Sequence, residues 1–100
     1  MRKILYSPGF GAGWSSWNSG EVAKYMLEYQ PIIDDIEAGR DITESVNKMC
    51  QEIKEKFNED YVCTLGSNSL VVAKVNGRVR INEYDGSESY EEENNYNGWL

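Results

Sequence analysis

The chain of 100 residues is long enough for one small hydrophobic core and too short for a second independent domain. Its net charge is −7, from 17 acidic and 10 basic residues, and no apolar run is long enough to span a bilayer. The absence of histidine excludes Ser-His and Cys-His hydrolases and histidine-based zinc sites. We therefore expect a cytoplasmic protein that has no signal peptide and uses neither a metal nor a cofactor.

The N-terminal segment predicts a strand that runs directly into a binding loop. Residues 2–6 form a short apolar run, and three alternating glycines with several aromatic residues follow it. Glycine permits positive φ and a close approach of the backbone to another group, and exposed aromatic rings are costly in a plain connector. The predicted binding loop comprises Tyr6, Gly9, Phe10, Gly11, Gly13, Trp14 and Trp17.

A nucleotide-like ligand is an alternative occupant of this loop. Its glycines follow a strand and precede a helix, as they do where backbone amides hold phosphate. The dinucleotide fingerprint is not complete, because Trp14 stands where its third glycine belongs, and the lysine of a P-loop is missing. What remains is a base stacked on an aromatic ring, with Arg78 or Arg80 as anion contacts. Equally, the loop could fold back as a lid over the helices.

Three amphipathic helices are predicted in the middle of the chain. Asn18 and Glu21 have the spacing of a capping box, so the first helix begins there and runs to about residue 29. The second spans residues 31–38, since proline favours the first helical position, and Gly39 ends it. The third has the clearest apolar stripe, formed by Ile42, Val46, Met49, Cys50, Ile53 and Phe57.

Strands are predicted in the C-terminal half, at residues 61–65, 70–75 and 78–84. Asn76-Gly77 favours a type I′ turn, which would pair the last two of these strands in a hairpin. This register places Leu70, Val72, Val79 and Ile81 toward the helices and leaves Val71, Ala73, Val75, Arg78, Arg80, Asn82 and Tyr84 on the opposite, open face. The order β-α-α-α-β-β-β predicts a single α+β domain, with three helices packed on a mostly antiparallel sheet.

The negative charge is concentrated at the C-terminal end. Residues 1–80 hold 11 acids and 10 bases, whereas residues 81–100 hold six acids and no base, so −6 of the −7 lies there. We divide the chain into an α+β domain at residues 1–84 and an acidic aromatic segment at residues 85–100. Such a segment can imitate a nucleic acid and occupy a basic groove on a partner, or it can be a solvated tail. Its predicted binding residues are Asp85, Glu88, Glu91, Glu92 and Glu93.

Catalytic groups are not apparent. Ser7, Ser15 and Ser16 have no histidine to act as their base. Asp34 and Asp35 are neighbours on a helix, so their carboxylates diverge, and a solvated helix face is the better interpretation. Cys50 and Cys63 are expected to be free thiols in a reducing compartment.

A resemblance to known proteins lies in three segments: Lys3-Ile4-Leu5-Tyr6-Ser7-Pro8-Gly9-Phe10-Gly11-Ala12-Gly13-Trp14-Ser15, residues 61–66 and residues 84–89. In these segments the chain resembles small uncharacterised proteins encoded by bacteriophages and prophages. Small acidic phage proteins often bind and block host machinery, including defence nucleases, so the resemblance implies a setting and no catalytic residue. We expect a non-catalytic protein that docks on a basic surface of a host protein, without direct contacts to nucleic acid or membrane. A nucleotide-sequestering protein, a small enzyme and a homodimer built on the same aromatics are the alternatives.

Overall fold

A computed structural model describes residues 2–9 and 13–92 of the chain. Short 3₁₀ turns at Ser15–Trp17 and Leu65–Ser69 precede the helical region and the later strands. The regular elements, in chain order, are β1 (Arg2–Tyr6), α1 (Gly20–Leu27), α2 (Gln30–Glu37), α3 (Thr43–Phe57), β2 (Val71–Val75), β3 (Val79–Tyr84) and β4 (Ser87–Glu92). The predicted α+β class is therefore confirmed.

Over the described residues, the strands form two separate antiparallel sheets of two strands each, so the prediction of one sheet is wrong. β1 pairs with β2, placing Ile4 opposite Ala73, and β3 pairs with β4, placing Ile81 opposite Tyr90. β2 and β3 are neighbours in sequence but do not pair. The prediction that they form a hairpin is wrong as well.

The turn geometry distinguishes the hairpin that forms from the one that was predicted. A type I′ turn requires positive φ at both of its central residues. Between β2 and β3 only Gly77 has positive φ, at 86°, whereas between β3 and β4 both Asp85 and Gly86 do, at 51° and 84°. The two-residue hairpin is therefore built on Asp85-Gly86.

Two further assignments of strands are corrected. Residues 61–64 have no regular structure, because Asn18 rather than a strand bonds to this segment: its Oδ1 accepts from the N–H of Cys63 and its Nδ2 donates to the Cys63 carbonyl, both at 3.1 Å. Conversely, β4 lies inside the segment predicted as an acidic tail. The element order agrees with the prediction only because β4 makes up for the strand predicted at residues 61–65. Residues 93–100 lie outside the described part of the chain.

The helical layer has two parts, an interrupted helix formed by α1 and α2 and the long α3, where three separate helices were predicted. Only Glu28 and Tyr29 separate α1 from α2, and Tyr29 is extended, with ψ 106°. The predicted capping box is absent, since Ser19 precedes α1 and Asn18 is engaged with Cys63. Gly39 follows α2 with φ 72°, the left-handed conformation expected after a helix end.

The core is divided between the two faces of β1. Ile4 and Leu5 are both fully buried, and because successive strand residues point to opposite faces, each belongs to a different cluster. Leu5 belongs to the cluster formed with the helices, whereas Ile4 belongs to a second cluster with residues that include Ala73, Val75 and Val79. Ala73 and Val75 are therefore buried, and the prediction that they line an open sheet face is wrong.

Candidate functional site

The Gly-rich loop is closed on a buried carboxylate from β4. Glu88 is only 2% exposed, and its Oε1 accepts a hydrogen bond of 2.8 Å from the N–H of Ser7. Its Oε2 accepts from the N–H groups of Trp14 at 2.7 Å and Ser16 at 3.0 Å, and from the hydroxyl of Ser16. The loop amides thus converge on an anion, as in a phosphate-binding loop, but that anion is the carboxylate of Glu88.

Two of the predicted loop glycines are needed for close packing against the chain itself. A Cβ added to Gly13 would lie 2.6 Å from the Oγ of Ser16 and 2.7 Å from Cδ1 of Trp17. A Cβ on Gly9 would lie 2.7 Å from the Oγ of Ser69. Phe10 and Gly11 lie outside the described residues.

The loop aromatics are distributed between the core and the surface. Trp14 is fully buried with the helices and donates from Nε1 to the Met26 carbonyl at 3.0 Å, as expected for a loop folded back over them. Tyr6 is half-buried and contacts the ring of Tyr90 edge-on, with 5.2 Å between centroids. Trp17 is 40% exposed. Of these three, Trp17 presents the most accessible ring to a partner.

The predicted acidic segment is, over residues 85–92, part of an ordered hairpin. We call β3, its turn and β4 the acidic hairpin. Tyr84 beside the turn is 81% exposed, and Asp85 in the turn is also exposed. Glu88 points inward, whereas Glu91 and Glu92 are exposed near the end of β4. Glu93 lies outside the described residues.

The predicted basic face also carries an acid. Arg78 and Arg80 are both exposed, as the sequence predicted. In the β3–β4 register, however, Arg80 lies directly opposite Glu91, and opposed residues of an antiparallel pair share one face. A ligand phosphate at Arg80 would therefore meet a nearby carboxylate.

Sequence reasoning missed a cleft between the interrupted helix α1–α2 and α3. Its volume is about 560 Å³, within the usual range for ligand sites. The rings of Tyr25, Tyr29 and Phe57 form an aromatic cluster on its wall, with Tyr25 5.5 Å from Tyr29 and 5.6 Å from Phe57 between centroids. The other lining residues are Glu21, Lys24, Glu28, Gln30, Pro31 and Glu52.

Glu52 of α3 joins the two tyrosines of this aromatic cleft. Its Oε1 accepts from the hydroxyls of Tyr25 at 2.7 Å and Tyr29 at 3.0 Å. Burial, assisted by the bond to Glu52, raises the pKa of Tyr25 to about 12 and also raises the pKa of Tyr29. The Tyr25 bond in turn lowers the pKa of Glu52. At neutral pH the cleft therefore presents two neutral phenols bound to one carboxylate.

One cation of the chain already rests on this aromatic cluster. The ammonium of Lys56 lies 5.5 Å from the centroid of the Tyr25 ring, a cation–π distance. Lys24 also lines the cleft, and Arg2 forms an ion pair with Glu28. The only sequence signal for this cleft was the pair of tyrosines four residues apart, which the predicted first helix, running to about residue 29, would place on one face. Glu52 gave none, since it resembles the other charged residues of α3.

Comparison with protein-family models, with curated proteins and with solved structures gives no match. None of the helices in the described ranges is both long and apolar enough to cross a membrane. Cys50 and Cys63 are free thiols, the first half-buried and the second buried. Function must therefore be inferred from the loop, the acidic hairpin and the aromatic cleft.

Proposed function

We propose that this is a non-catalytic binding protein, encoded by a bacteriophage or prophage, that docks its acidic hairpin on a basic surface of a host protein in the bacterial cytoplasm. A defence nuclease, which needs a basic groove for nucleic acid, is the kind of partner that such a hairpin could block. The observation that carries the proposal is the exposure of acids and an aromatic ring on an ordered hairpin.

The charge and exposure of the hairpin suit a basic partner. Exposed carboxylates accelerate association with a positive surface and favour it over other surfaces. Tyr84, 81% exposed, offers a large ring that can be buried on contact, and tyrosine is frequent among the residues that dominate binding energy. The exposed acids of the hairpin are Glu83, Asp85, Glu91 and Glu92.

The buried anchor of the hairpin also supports docking. Glu88 bonds to the loop through its side chain, and its own N–H donates to the Ser7 carbonyl at 2.7 Å. Ser87 adds a bond of 2.7 Å from its hydroxyl to the Pro8 carbonyl. A surface that is ordered before binding loses less conformational entropy on association than a tail would.

The nucleotide-sequestering alternative ranks second. A phosphate held by the loop amides would have to displace the carboxylate of Glu88, and a base could not stack on Trp14 without opening the core. A small enzyme ranks third, since the exposed acids and Tyr84 are explained by docking alone.

Charge reversal tests the proposal. In the triple variant Glu91→Lys, Glu92→Lys, Glu93→Lys, we expect at least a tenfold loss of affinity for the host partner that native mass spectrometry finds with the wild type. The loss follows because attraction to the basic surface becomes repulsion. Wild-type binding should also weaken at high salt.

A matched control carries the same change of net charge at a distant place. Asp34, Glu37 and Glu44 are exposed on α2 and at the start of α3, and their triple lysine variant should keep the wild-type affinity. Equal affinity of the hairpin variant and the wild type would refute docking through the hairpin. Equal losses in both triple variants would show that overall charge, and not the hairpin, governs binding.

A further inference from the structure

We infer that the aromatic cleft between α1–α2 and α3 binds a guanidinium group, presented by an arginine side chain of the partner protein. The inference deepens the proposed function, on which it rests for the source of the arginine, and adds a second contact to the acidic hairpin.

The wall of the cleft has the apolar, planar character that a guanidinium needs. The rings of Tyr25 and Phe57 are half-buried, with centroids 5.6 Å apart, and Pro31 extends the apolar wall; Tyr29 is buried behind them, 5.5 Å from Tyr25. Guanidinium is planar and weakly hydrated, so it stacks on aromatic rings more readily than an ammonium does. The volume of about 560 Å³ exceeds what one arginine side chain fills, so its aliphatic part can also enter.

Glu52 supplies a fixed acceptor for that cation. Both phenol bonds end on Oε1, which holds the carboxylate in place. Within the described part of the chain, Oε2 of Glu52 accepts no hydrogen bond, and an ionised carboxylate has room for about four in total. An arginine N–H donating to Oε2 would form a charge-assisted bond while the guanidinium plane covers a ring.

The charged groups around the cleft include both the acceptor for a guanidinium and its competitors. Among the described residues, the carboxylates of Glu21, Glu28 and Glu52 and the ammonium of Lys24 line the cleft. Arg2 pairs with Glu28, and Lys48 and Lys56 lie near enough to Glu52 to lower its pKa without forming an ion pair. Lys56 already occupies one side of the Tyr25 ring. An incoming arginine therefore has to compete with a resident lysine.

Small probes test the chemistry without the partner. Nα-acetyl-argininamide is titrated into the full protein, and the ring resonances of Tyr25, Tyr29 and Phe57 are followed by NMR. We expect saturable shifts with a dissociation constant of about 1 mM, a normal value for a ligand of this size. The citrulline analogue, a neutral isostere, should bind at least about tenfold more weakly, and the lysine analogue should also be weaker.

Three variants locate the contacts. Glu52→Gln should reduce arginine binding about tenfold, to the level of the citrulline analogue, because the cleft loses its acceptor charge. Glu55→Gln, an exposed acid on the same helix, should bind like the wild type. Lys56→Gln should strengthen arginine binding severalfold by removing the competing cation, an increase that partial unfolding cannot imitate.

The outcomes separate this inference from the proposed function. Equal binding of arginine and citrulline probes, equal binding of arginine and lysine probes, or weaker binding to Lys56→Gln would overturn the guanidinium site. The hairpin variants with three lysines should still bind the arginine probe, since the cleft is unchanged. If that probe fails while hairpin reversal still abolishes docking, the cleft inference falls and the proposed function stands.

Discussion

Replacing Glu88 by glutamine changes one atom of the carboxylate on which the loop amides converge. If the amide oxygen takes the place of Oε2, it keeps the bonds from the N–H groups of Trp14 and Ser16 and from the Ser16 hydroxyl. The side-chain NH₂ then replaces Oε1 and faces the N–H of Ser7, so that one donor is turned toward another. The opposite orientation loses three acceptor contacts and is worse.

The cost follows from these contacts. Loss of one hydrogen bond to a charged acceptor costs about 1.5–3 kcal/mol, and the three remaining bonds weaken because their acceptor is now neutral. We expect the free energy of unfolding to fall by about 3–4 kcal/mol. At about 4 °C or more per kcal/mol for a domain of this size, Tm should fall by at least about 12 °C.

Thermal unfolding followed by circular dichroism measures this effect, and a matched variant controls it. Glu91→Gln makes the same chemical change on the same strand at an exposed position, and it should alter stability by no more than about 0.5 kcal/mol. Amide exchange of Ser7, Trp14 and Ser16 should accelerate in Glu88→Gln only. If the two variants had the same Tm, the assignment of Glu88 as a buried anchor would be refuted.

Four variants test further predictions for the cleft and the loop. Glu52→Gln should lower the pKa of Tyr25 from about 12 part of the way toward about 10, measured by tyrosinate absorbance; an unchanged pKa would contradict the role of Glu52. Because the pKa of Tyr25 is raised in the folded state, its contribution to the free energy of unfolding is complete below about pH 10 and is lost as the pH rises toward 12. The free energy of unfolding of Tyr25→Phe should therefore decrease less over this alkaline range than that of the wild type. Gly13→Ala should lower the free energy of unfolding by about 2–3 kcal/mol, since its Cβ would lie 2.6 Å from the Ser16 Oγ. The control Gly77→Ala has open space around the new Cβ but φ 86°, and it should lower the free energy of unfolding by about 1 kcal/mol. Equal losses in the two variants would argue against a packing role for Gly13.

The helical part of the fold could be predicted because its signals are local. Ile32 and Ile33 on α2 lie four and three residues before Ile36, and Met49 lies four residues before Ile53 on α3; of these, all but Ile36 are fully buried. Pro31 and Gly39 bracket α2 as their conformational preferences require. The exact break between α1 and α2 was missed because it depends on the extended conformation of Tyr29, which the periodicity does not encode.

Strand pairing could not be predicted, because two equivalent local signals competed. Asn76-Gly77 and Asp85-Gly86 both favour a type I′ turn by composition. In the structure β2 pairs with β1, and Asn76 does not have the positive φ that a type I′ turn requires. The β1–β2 pairing joins residues about seventy positions apart, and no local sequence pattern records such a contact.

The Gly-rich loop and the acidic segment look like two separate binding features in the sequence, but in the structure they form one unit. Alternation along β4 places Glu88 and Glu91 on opposite faces, so the first carboxylate fills the amide cradle of the loop while the second remains at the surface. The acids of this segment therefore have different roles. Reversing Glu88 would damage the fold whether or not the hairpin docks on a partner, and only the exposed acids can test the proposed interaction.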